Sequence, residues 1–345
     1  MQAERRERNG SRSSGNVTLA DVAKLAGVSP ITVSRVLNKP ELVTAATMQH
    51  VQEVIERTGY TPNLLAGGLA SRKSKLVAAI VPSITNAIFV ETTQALTDRL
   101  WEAGYQVLLG LSGYPAARED ALLAAVLSRR PDAIYLTGIN HSAHARQRLL
   151  AAKIPIVETW DLTPTPLDML VGFSHAEVGH AVARHLLARG RKRLALITAD
   201  DERAMVRRKA FVEAVERAGA RAVEVAIVPA PSTLAQGRLA LAELLGRATG
   251  RRHIDAVFCG SDLMAHGALE EARSRGLSVP DELAIIGFGG LESTAHTTPT
   301  LSTVRIDRTA IGRLAAEIIL ERIAGNGERD KVVDVGFEIV DRETT

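Results

Sequence analysis

The chain has 345 residues and a formal net charge of +3, with 46% hydrophobic and 23% charged residues. At about 150 residues per domain this length suggests two or three folding units, and the composition excludes a wholly disordered or fibrous chain. The single cysteine, Cys259, excludes an intramolecular disulfide and a cysteine-rich metal site, and it favours a reducing compartment.

Residues 1–16 combine Arg5, Arg6, Arg8 and Arg12 with serine and glycine, which predicts a disordered basic arm. No apolar core follows these arginines, so the segment is unlike a signal peptide. The longest apolar stretch, 76–90, is interrupted by polar residues and is shorter than the roughly 20 residues that a membrane span needs. We therefore expect a cytoplasmic protein that makes no membrane contact.

The positive charge is concentrated near the N-terminus. Residues 1–75 hold 11 Lys and Arg against 6 Asp and Glu, whereas the other 270 residues hold 31 against 33. A basic N-terminal part on a near-neutral remainder indicates contact with nucleic acid through that part. Charge alone would fit a solvated basic tail equally well.

Three short helices are predicted in residues 17–62, which we call the head. Thr18, Ser29 and Thr44 are suited to cap the three N-termini, and glycines end the first and third helices. Two short helices joined by a glycine turn and braced by a third form a helix-turn-helix. In that motif the second helix enters the major groove of DNA with its N-terminus leading.

The second helix carries side chains suited to reading DNA. Arg35 is the one residue on it that can make a bidentate contact to guanine. Pro30 and Ile31 offer apolar contact to a thymine methyl, and Ser29, Thr32 and Ser34 offer short hydroxyl groups suited to phosphates.

The head resembles the DNA-binding domain of the lactose-repressor (LacI-type) family over segments 18–29 (TLADVAKLAGVS), 32–38 (TVSRVLN) and 59–63 (GYTPN). The resemblance implies that residues 63–75 form a hinge, in which a helix at 63–69 pairs with that of a dimer mate and inserts Leu69 into the minor groove. Gly67 and Gly68 each disfavour a helix by about 1 kcal/mol. We therefore expect a hinge that is helical only on DNA, with a flexible linker as the alternative. The predicted DNA-contacting residues are Thr18, Ser29, Pro30, Ile31, Thr32, Ser34, Arg35, Asn38, Tyr60, Asn63 and Leu69.

Residues 76–345, which we call the body, alternate short aliphatic runs with amphipathic helical patterns. Strands are predicted at 76–81, 106–111, 133–137, 193–198, 256–259 and 283–288. This alternation predicts an α/β fold with parallel sheets covered by helices on both faces.

The series restarts after a connecting segment at 154–173, which predicts two doubly wound lobes. Ligands of such sheets bind at the carboxyl ends of the strands. The body resembles the periplasmic-binding-protein-like effector domain of LacI-type regulators. Lobe 1 is expected at about 76–173 plus 304–330, and lobe 2 at about 174–303 plus 331–345.

Catalytic and metal chemistry find little support. A phosphate-binding loop of the type G-x-x-x-x-G-K-[ST] is absent from the sequence. His175, His180 and His185 are five residues apart and so share no helix face. The acidic run 200–202 has no nucleophile or second acid placed to use it. We expect no metal, no cofactor and no enzymatic activity.

Several segments of the body narrow the resemblance to the gluconate-repressor branch of the family: 81–86 (VPSITN), 113–115 (GYP), 171–173 (VGF), 201–203 (DER), 257–259 (VFC) and 287–290 (GFGG). Arg207 stands at the position of the family's effector-gripping basic residue, where its guanidinium would bind a carboxylate in bidentate fashion. A surface arginine is the alternative. Gly289 stands where members that bind neutral sugars typically have aspartate, and its lack of charge favours an anionic ligand.

A sugar acid such as gluconate or a keto-gluconate is the expected effector. The predicted effector-binding residues are Ser83, Asn86, Phe89, Phe173, Arg203, Arg207, Ser261, Asp262 and Gly289. The resemblance implies a homodimer on a near-palindromic operator, released by the effector. The alternatives within the class are a neutral sugar or other effector, and co-repression. Outside it they are a cytoplasmic sugar-binding module without specific DNA binding and an enzyme of a sugar-acid pathway.

Overall fold

A computed structural model describes residues 17–61, 73–85, 87–247, 253–326 and 330–345. The chain divides into two compact units, 1–74 and 75–345. The expected basic arm (1–16) and most of the expected hinge (63–75), with Asn63 and Leu69, lie outside the described residues, as does Asn86.

The head contains the three predicted helices, α1 (Leu19–Leu25), α2 (Pro30–Asn38) and α3 (Ala45–Thr58), with a short 3-10 turn at Pro40–Leu42. The three predicted caps are confirmed. The Oγ1 of Thr18 accepts a hydrogen bond from the backbone of Asp21, Ser29 Oγ from that of Thr32, and Thr44 Oγ1 from that of Thr47.

The glycine turn of the head is built as the motif requires. Gly27 has a φ of +61°, and Gly59, which ends α3, has a φ of +64°. Side chains other than glycine rarely adopt this left-handed conformation. The three helices enclose a small aliphatic core of Val22, Ala23, Ala26, Val33, Val36, Val51 and Val54.

Lobe 1 of the body is a six-stranded sheet in the order β11-β5-β4-β3-β1-β2. Its strands are all parallel. Helices α4 (Ala87–Glu102) and α11 (Arg308–Ile323) pack on one face, and α5 (Ala116–Leu127) and α6 (Ala143–Ala152) pack on the other. The strands are β1 (Leu76–Val81), β2 (Gln106–Leu111), β3 (Ala133–Thr137), β4 (Ile156–Thr159), β5 (Met169–Gly172) and β11 (Val332–Asp334).

Lobe 2 repeats this plan in the order β12-β10-β9-β8-β6-β7, with β12 antiparallel to β10. Helices α7 (His175–Ala188) and α8 (Glu202–Arg217) cover one face, and α9 (Leu234–Arg247) and α10 (Asp262–Ser274) cover the other. A 3-10 turn spans Glu292–His296. The strands are β6 (Leu194–Ala199), β7 (Glu224–Val228), β8 (Ala256–Cys259), β9 (Ala284–Gly289), β10 (Ser302–Arg305) and β12 (Glu338–Val340).

The predicted strands correspond to β1, β2, β3, β6, β8 and β9, and the two-lobe architecture is confirmed. The segment 154–173 is more than a connection, because it contains β4 and β5. The expected lobe limits need correction at two places. Residues 304 and 305 belong to β10 in the sheet of lobe 2, and residues 332–334 form β11 in the sheet of lobe 1.

Within the described residues, no helix is both long and apolar enough to cross a membrane.

Candidate functional site

The outward face of α2 is the candidate DNA-reading surface of the head. Ile31 is 64% exposed although it is a large apolar side chain. Ser29, Pro30, Arg35 and Asn38 are also exposed, whereas Thr32 and Ser34 are half-buried. An exposed isoleucine beside an exposed arginine is the mixture that base edges in the major groove can engage.

Several predicted DNA contacts are also used inside the head. Ser29 Oγ lies 2.9 Å from Thr32 Oγ1 at the cap of α2, and Asn38 donates its amide to the carbonyl of Ser34 at 2.9 Å. Thr18 donates its hydroxyl to Asp21 at 2.7 Å, and Tyr60 packs partly buried against the head core. Arg35 has no such engagement within the described part of the chain, so its guanidinium is available to a partner.

The candidate ligand site lies between the two lobes of the body, where the strands of both sheets end. A deep pocket with a free volume of 40 Å³ opens there. Of the predicted effector residues, Phe89, Arg203, Arg207 and Ser261 line it. The other lining residues are Ile88, Tyr114, Trp160, His175, Ala199, Asp201, Ser232, Gly260 and Phe288.

Arg207 is the charged centre of this pocket. It projects from α8, is 6% exposed, and donates from Nη1 to His175 Nδ1 at 2.8 Å and from Nη2 to the Gly260 carbonyl at 3.3 Å. Its Cζ lies 4.0 Å from the ring centroid of Phe288, and its Nε has no hydrogen-bond partner in the described structure. The alternative of a surface arginine is thus excluded by its burial.

The charge of Arg207 is not neutralised by its neighbours. Burial lowers its pKa to about 10, against the opposing effect of Asp201 and Asp161, so it remains a cation at neutral pH. It forms no ion pair with a carboxylate of the described residues. Its partner His175 is uncharged, because burial and the adjacent Arg207 hold the pKa of the imidazole well below its usual value.

His175 fixes this geometry through its tautomer. Since Nδ1 accepts from Arg207, the proton is on Nε2, which donates to the Trp160 carbonyl at 2.8 Å. Trp160 has a φ of +68°, and its indole Nε1 is buried without a hydrogen-bond partner in the described structure. Backbone in this conformation is costly for tryptophan and tends to occur at ligand sites.

An aromatic wall supports the pocket. The rings of Phe89 and Trp160 meet edge to face with centroids 5.2 Å apart, and Phe173 stands behind Trp160 at 5.9 Å. Phe173 is fully buried and does not line the pocket itself. Arg203 reaches from α8 to the Phe89 ring, with 5.4 Å between its Cζ and the centroid, and so links the two lobes.

Three other predicted residues, Ser83, Asp262 and Gly289, also lie outside the pocket wall. Ser83 is hydrogen-bonded to Thr85 at 2.7 Å. Asp262 is 1% exposed and accepts from Thr303 Oγ1 at 2.6 Å and the Leu291 backbone at 2.7 Å. Burial raises the pKa of Asp262 to about 6.

Gly289 lies directly over this carboxylate. A Cβ at Gly289, whose φ is +128°, would be 3.3 Å from Asp262 Oδ2 and 3.1 Å from Ile88 Cγ2. The backbone therefore has no room for an aspartate here without a shift.

A second, outer cavity of 260 Å³ adjoins the deep pocket and shares Tyr114, Asp201 and Arg203 with it. Its other lining residues are Pro82, Ser112, Gly113, Glu119, Thr137, Gly138, Ile139, Asn140, Asp161, Asp200 and Glu202.

The predicted effector-binding residues did not include Trp160, His175, Tyr114 or Asp161. Trp160 and Asp161 follow β4, a strand hidden in the supposed connection, and the carboxyl end of a recognised strand would have pointed to them.

Residues 18–63 match the family model of bacterial regulatory proteins of the lacI family, and residues 183–345 match that of the periplasmic binding protein-like domain. The chain is 40% identical over 337 residues to an HTH-type transcriptional regulator GntR of Pseudomonas aeruginosa, covering 97% of each chain. It is 33% identical over 325 residues to an HTH-type transcriptional regulator GntR of Escherichia coli K12, covering 93% of this chain and 96% of the relative.

A solved structure supports the same relationship. A LacI-family transcriptional regulator from Silicibacter pomeroyi superimposes with a TM-score of 0.89 at 32% identity, covering 95% of this chain and 99% of that one. The relatives named here are regulators of transcription rather than enzymes.

Proposed function

Because this chain belongs to the lacI family of bacterial regulatory proteins, we propose that it is a repressor that a sugar acid releases from its operator. It acts as a homodimer, with each head reading one half of a near-palindromic site. The observation that carries the effector class is Arg207, a buried cation in the interlobe pocket to which no carboxylate of the described residues is paired.

The energetics of Arg207 favour an anionic ligand. Burying a charge is costly unless an opposite charge or sufficient hydrogen bonds compensate for it. Among the residues that the structure describes, the guanidinium has only the neutral His175, the Gly260 carbonyl and the face of Phe288 as direct partners. A ligand carboxylate would add the missing charge, and the second arginine of the pocket, Arg203, strengthens the attraction.

The rest of the site suits a sugar acid. Ser261 and Ser232 supply hydroxyl groups in the pocket of Arg207, Tyr114 supplies one where this pocket meets the outer cavity, and Phe89 offers an apolar ring to the carbon skeleton. The absence of an acid at position 289 removes a group that would repel a carboxylate. The 40% identity to a regulator named GntR and the resemblance of the cleft segments to gluconate repressors agree with this ligand class.

For induction, the acid must bind more tightly to the form of the dimer that does not hold DNA. Arg203 already bridges the two lobes. Entry of the acid between them would change the position of one lobe relative to the other, and this change would alter the affinity of the heads for the operator.

The test is binding of the full-length protein to DNA from upstream of its own gene, followed by fluorescence anisotropy at fixed salt and titrated with gluconate, 2-ketogluconate and glucose. Salt is fixed because phosphate contacts make the affinity strongly dependent on it. We expect one of the acids, and not glucose, to dissociate a sequence-specific complex.

Substitutions at Arg207 and Arg35 test separately the response to acid and the reading of DNA. Arg207→Ala should keep DNA binding and lose the response to acid, with Arg207→Lys retaining part of it because the charge remains. Arg35→Ala should weaken specific binding by about 5- to 150-fold, the value of a lost bidentate base contact. Arg217→Ala, an exposed position on the same helix as Arg207, is the control.

Each other outcome would contradict one specific part of the proposed function. If Arg207→Ala still responds fully to the acid, the ligand's carboxylate does not bind in this pocket. A complex that the acid tightens would indicate co-repression, and release by glucose would indicate a neutral effector. Equal affinity for all DNA sequences would indicate a sugar-binding module instead of a repressor.

A further inference from the structure

The interlobe cleft has two compartments of opposite charge. The deep pocket holds Arg207 and Arg203, whereas five acidic residues line the outer cavity: Glu119, Asp161, Asp200, Asp201 and Glu202. Arg203 and Asp201 lie where the two compartments meet. A ligand that enters the cleft therefore meets a cation at one end and several anions at the other.

The volumes divide the ligand between the compartments. A cavity of about 10–15 Å³ is enough to hold one water molecule, so the 40 Å³ of the deep pocket holds a group of a few heavy atoms such as a carboxylate. The remainder of a six-carbon acid must extend past Tyr114 and Arg203 into the outer cavity of 260 Å³.

The outer acids are arranged as hydrogen-bond acceptors. Asp200 accepts from the Ala230 backbone at 2.8 Å, Asp201 from that of Ala204 at 3.1 Å, and Asp161 from that of Leu162 at 2.9 Å. In each case the bond is to Oδ1, and within the described residues Oδ2 has no hydrogen-bond donor.

These free oxygens suit hydroxyl groups, which donate to carboxylates. They oppose a second carboxylate, because like charges brought together in a partly buried site repel one another. Asp161 in particular is partly desolvated, and burial raises its pKa.

Resting on the proposed function, we infer that this site selects open-chain monocarboxylic sugar acids and rejects the corresponding diacids. The carboxylate lies at Arg207 and the hydroxyl-bearing chain extends along the outer acids. Discrimination arises at the end of the ligand farthest from Arg207, through Asp161 and Asp200.

The experiment compares gluconate with glucarate by isothermal titration calorimetry on the full-length protein. The two acids share six carbons and four hydroxyl-bearing carbons, and they differ at the far carbon, a hydroxymethyl group in one and a carboxylate in the other. We expect glucarate to bind at least about tenfold more weakly, as expected where like charges oppose a partner.

Asp161→Asn and Asp200→Asn should each reduce the difference in affinity between gluconate and glucarate by strengthening the binding of glucarate. Both variants keep the Oδ1 acceptor that bonds to the backbone, so the local structure is retained. Glu213→Gln is the matched control, since it removes one negative charge from α8 about three turns along the helix from Arg203.

Equal affinity of the wild type for both acids would overturn the inference and leave the proposed function intact. The inference would also be overturned if the two Asn variants, like Glu213→Gln, left the ratio of the gluconate and glucarate affinities unchanged. Failure of the wild type to bind gluconate, 2-ketogluconate or glucarate would instead overturn the proposed function itself.

Discussion

His141 is a buried cation held between two carboxylates in lobe 1. Its Nδ1 lies 2.6 Å from Glu119 and its Nε2 lies 3.3 Å from Glu158, a residue that is itself 1% exposed. Burial acts to lower the pKa of His141, but interactions with Glu119 and Glu158 outweigh it and raise the pKa to about 9. These three residues connect three elements of lobe 1: Glu119 lies on α5 and lines the outer cavity, His141 lies in the loop that follows β3, and Glu158 lies on β4.

The raised pKa makes the stability of the body depend on pH. Because the folded pKa lies above the unfolded value, the stabilisation is complete below about pH 6.5 and is lost as pH rises through about 9. The shift corresponds to on the order of 3 kcal/mol. We expect the stability advantage of the wild type over His141→Gln to shrink between pH 6.5 and 10 in urea unfolding.

The exposed His144 provides a control three residues away, and His144→Gln should match the wild type at every pH. A wild-type advantage over His141→Gln that stays constant from pH 6.5 to 10 would show that His141 is not charged in the folded protein.

Gly289 offers a test of the proposed ligand class at a single backbone position. Gly289→Asp introduces a side chain at a φ of +128° and next to the buried carboxylate of Asp262. We expect a loss of about 1–3 kcal/mol in the free energy of unfolding from strain. We also expect loss of acid binding, because the new negative charge lies beside Ile88 of the deep pocket. Chemical denaturation and calorimetry measure the two effects.

Strain and position can be separated with Gly190→Asp. Gly190 also has a positive φ, +79°, but a Cβ there would meet nothing within 4 Å. That variant should lose stability and keep acid binding, so loss of binding in both variants would contradict the role given to Gly289.

At the scale of elements, the head could be predicted almost completely because its rules are local. The capping hydroxyls, the glycine turn and the apolar spacing act over three or four residues. Thr18, Ser29 and Thr44 cap as expected. The exposure of Ile31 and Arg35 follows from the same helical spacing.

The body could be predicted only in part, since short strands depend on neighbours far along the chain. β4 (IVET) ends in two polar residues and β11 (VVD) in one, so neither shows an apolar run, and each is a strand because a neighbouring strand pairs with it. Missing β4 hid Trp160. Arg207 was found through resemblance, but its partner His175 lies 32 residues away and no spacing rule connects them.

At the scale of the molecule, the two lobes are joined behind the cleft by Arg308, at the start of α11. Its Nε and Nη2 both lie 2.8 Å from Glu91 Oε2 on α4 of lobe 1, and its Nη1 donates to the Gly289 carbonyl of lobe 2. Arg308 is 9% exposed. A planar guanidinium can hold both groups at once, which the point charge of lysine cannot do.

This link ties the end of β9, next to the pocket residue Phe288, to the first turns of α4. We expect Arg308→Lys to bind gluconate with an affinity within a few-fold of the wild type, but to transmit less of that binding to the DNA. Mutations along a coupled network change coupling by about 0.5–2 kcal/mol, so the ratio of operator Kd with and without acid should fall about 2- to 30-fold. Anisotropy and calorimetry on the same preparation give the two quantities.

The neighbouring Arg305 supplies the comparison, because it pairs with Glu338 inside lobe 2 and both side chains are more than half exposed, at 55% and 61%. An exposed pair of this kind contributes little, and since it crosses no lobe boundary, Arg305→Lys should leave the ratio unchanged. If Arg308→Lys also leaves it unchanged, the effector's signal does not pass through this joint. In that case the movement of the lobes would have to be transmitted by the cleft residues themselves, with Arg203 on Phe89 as the contact to test next.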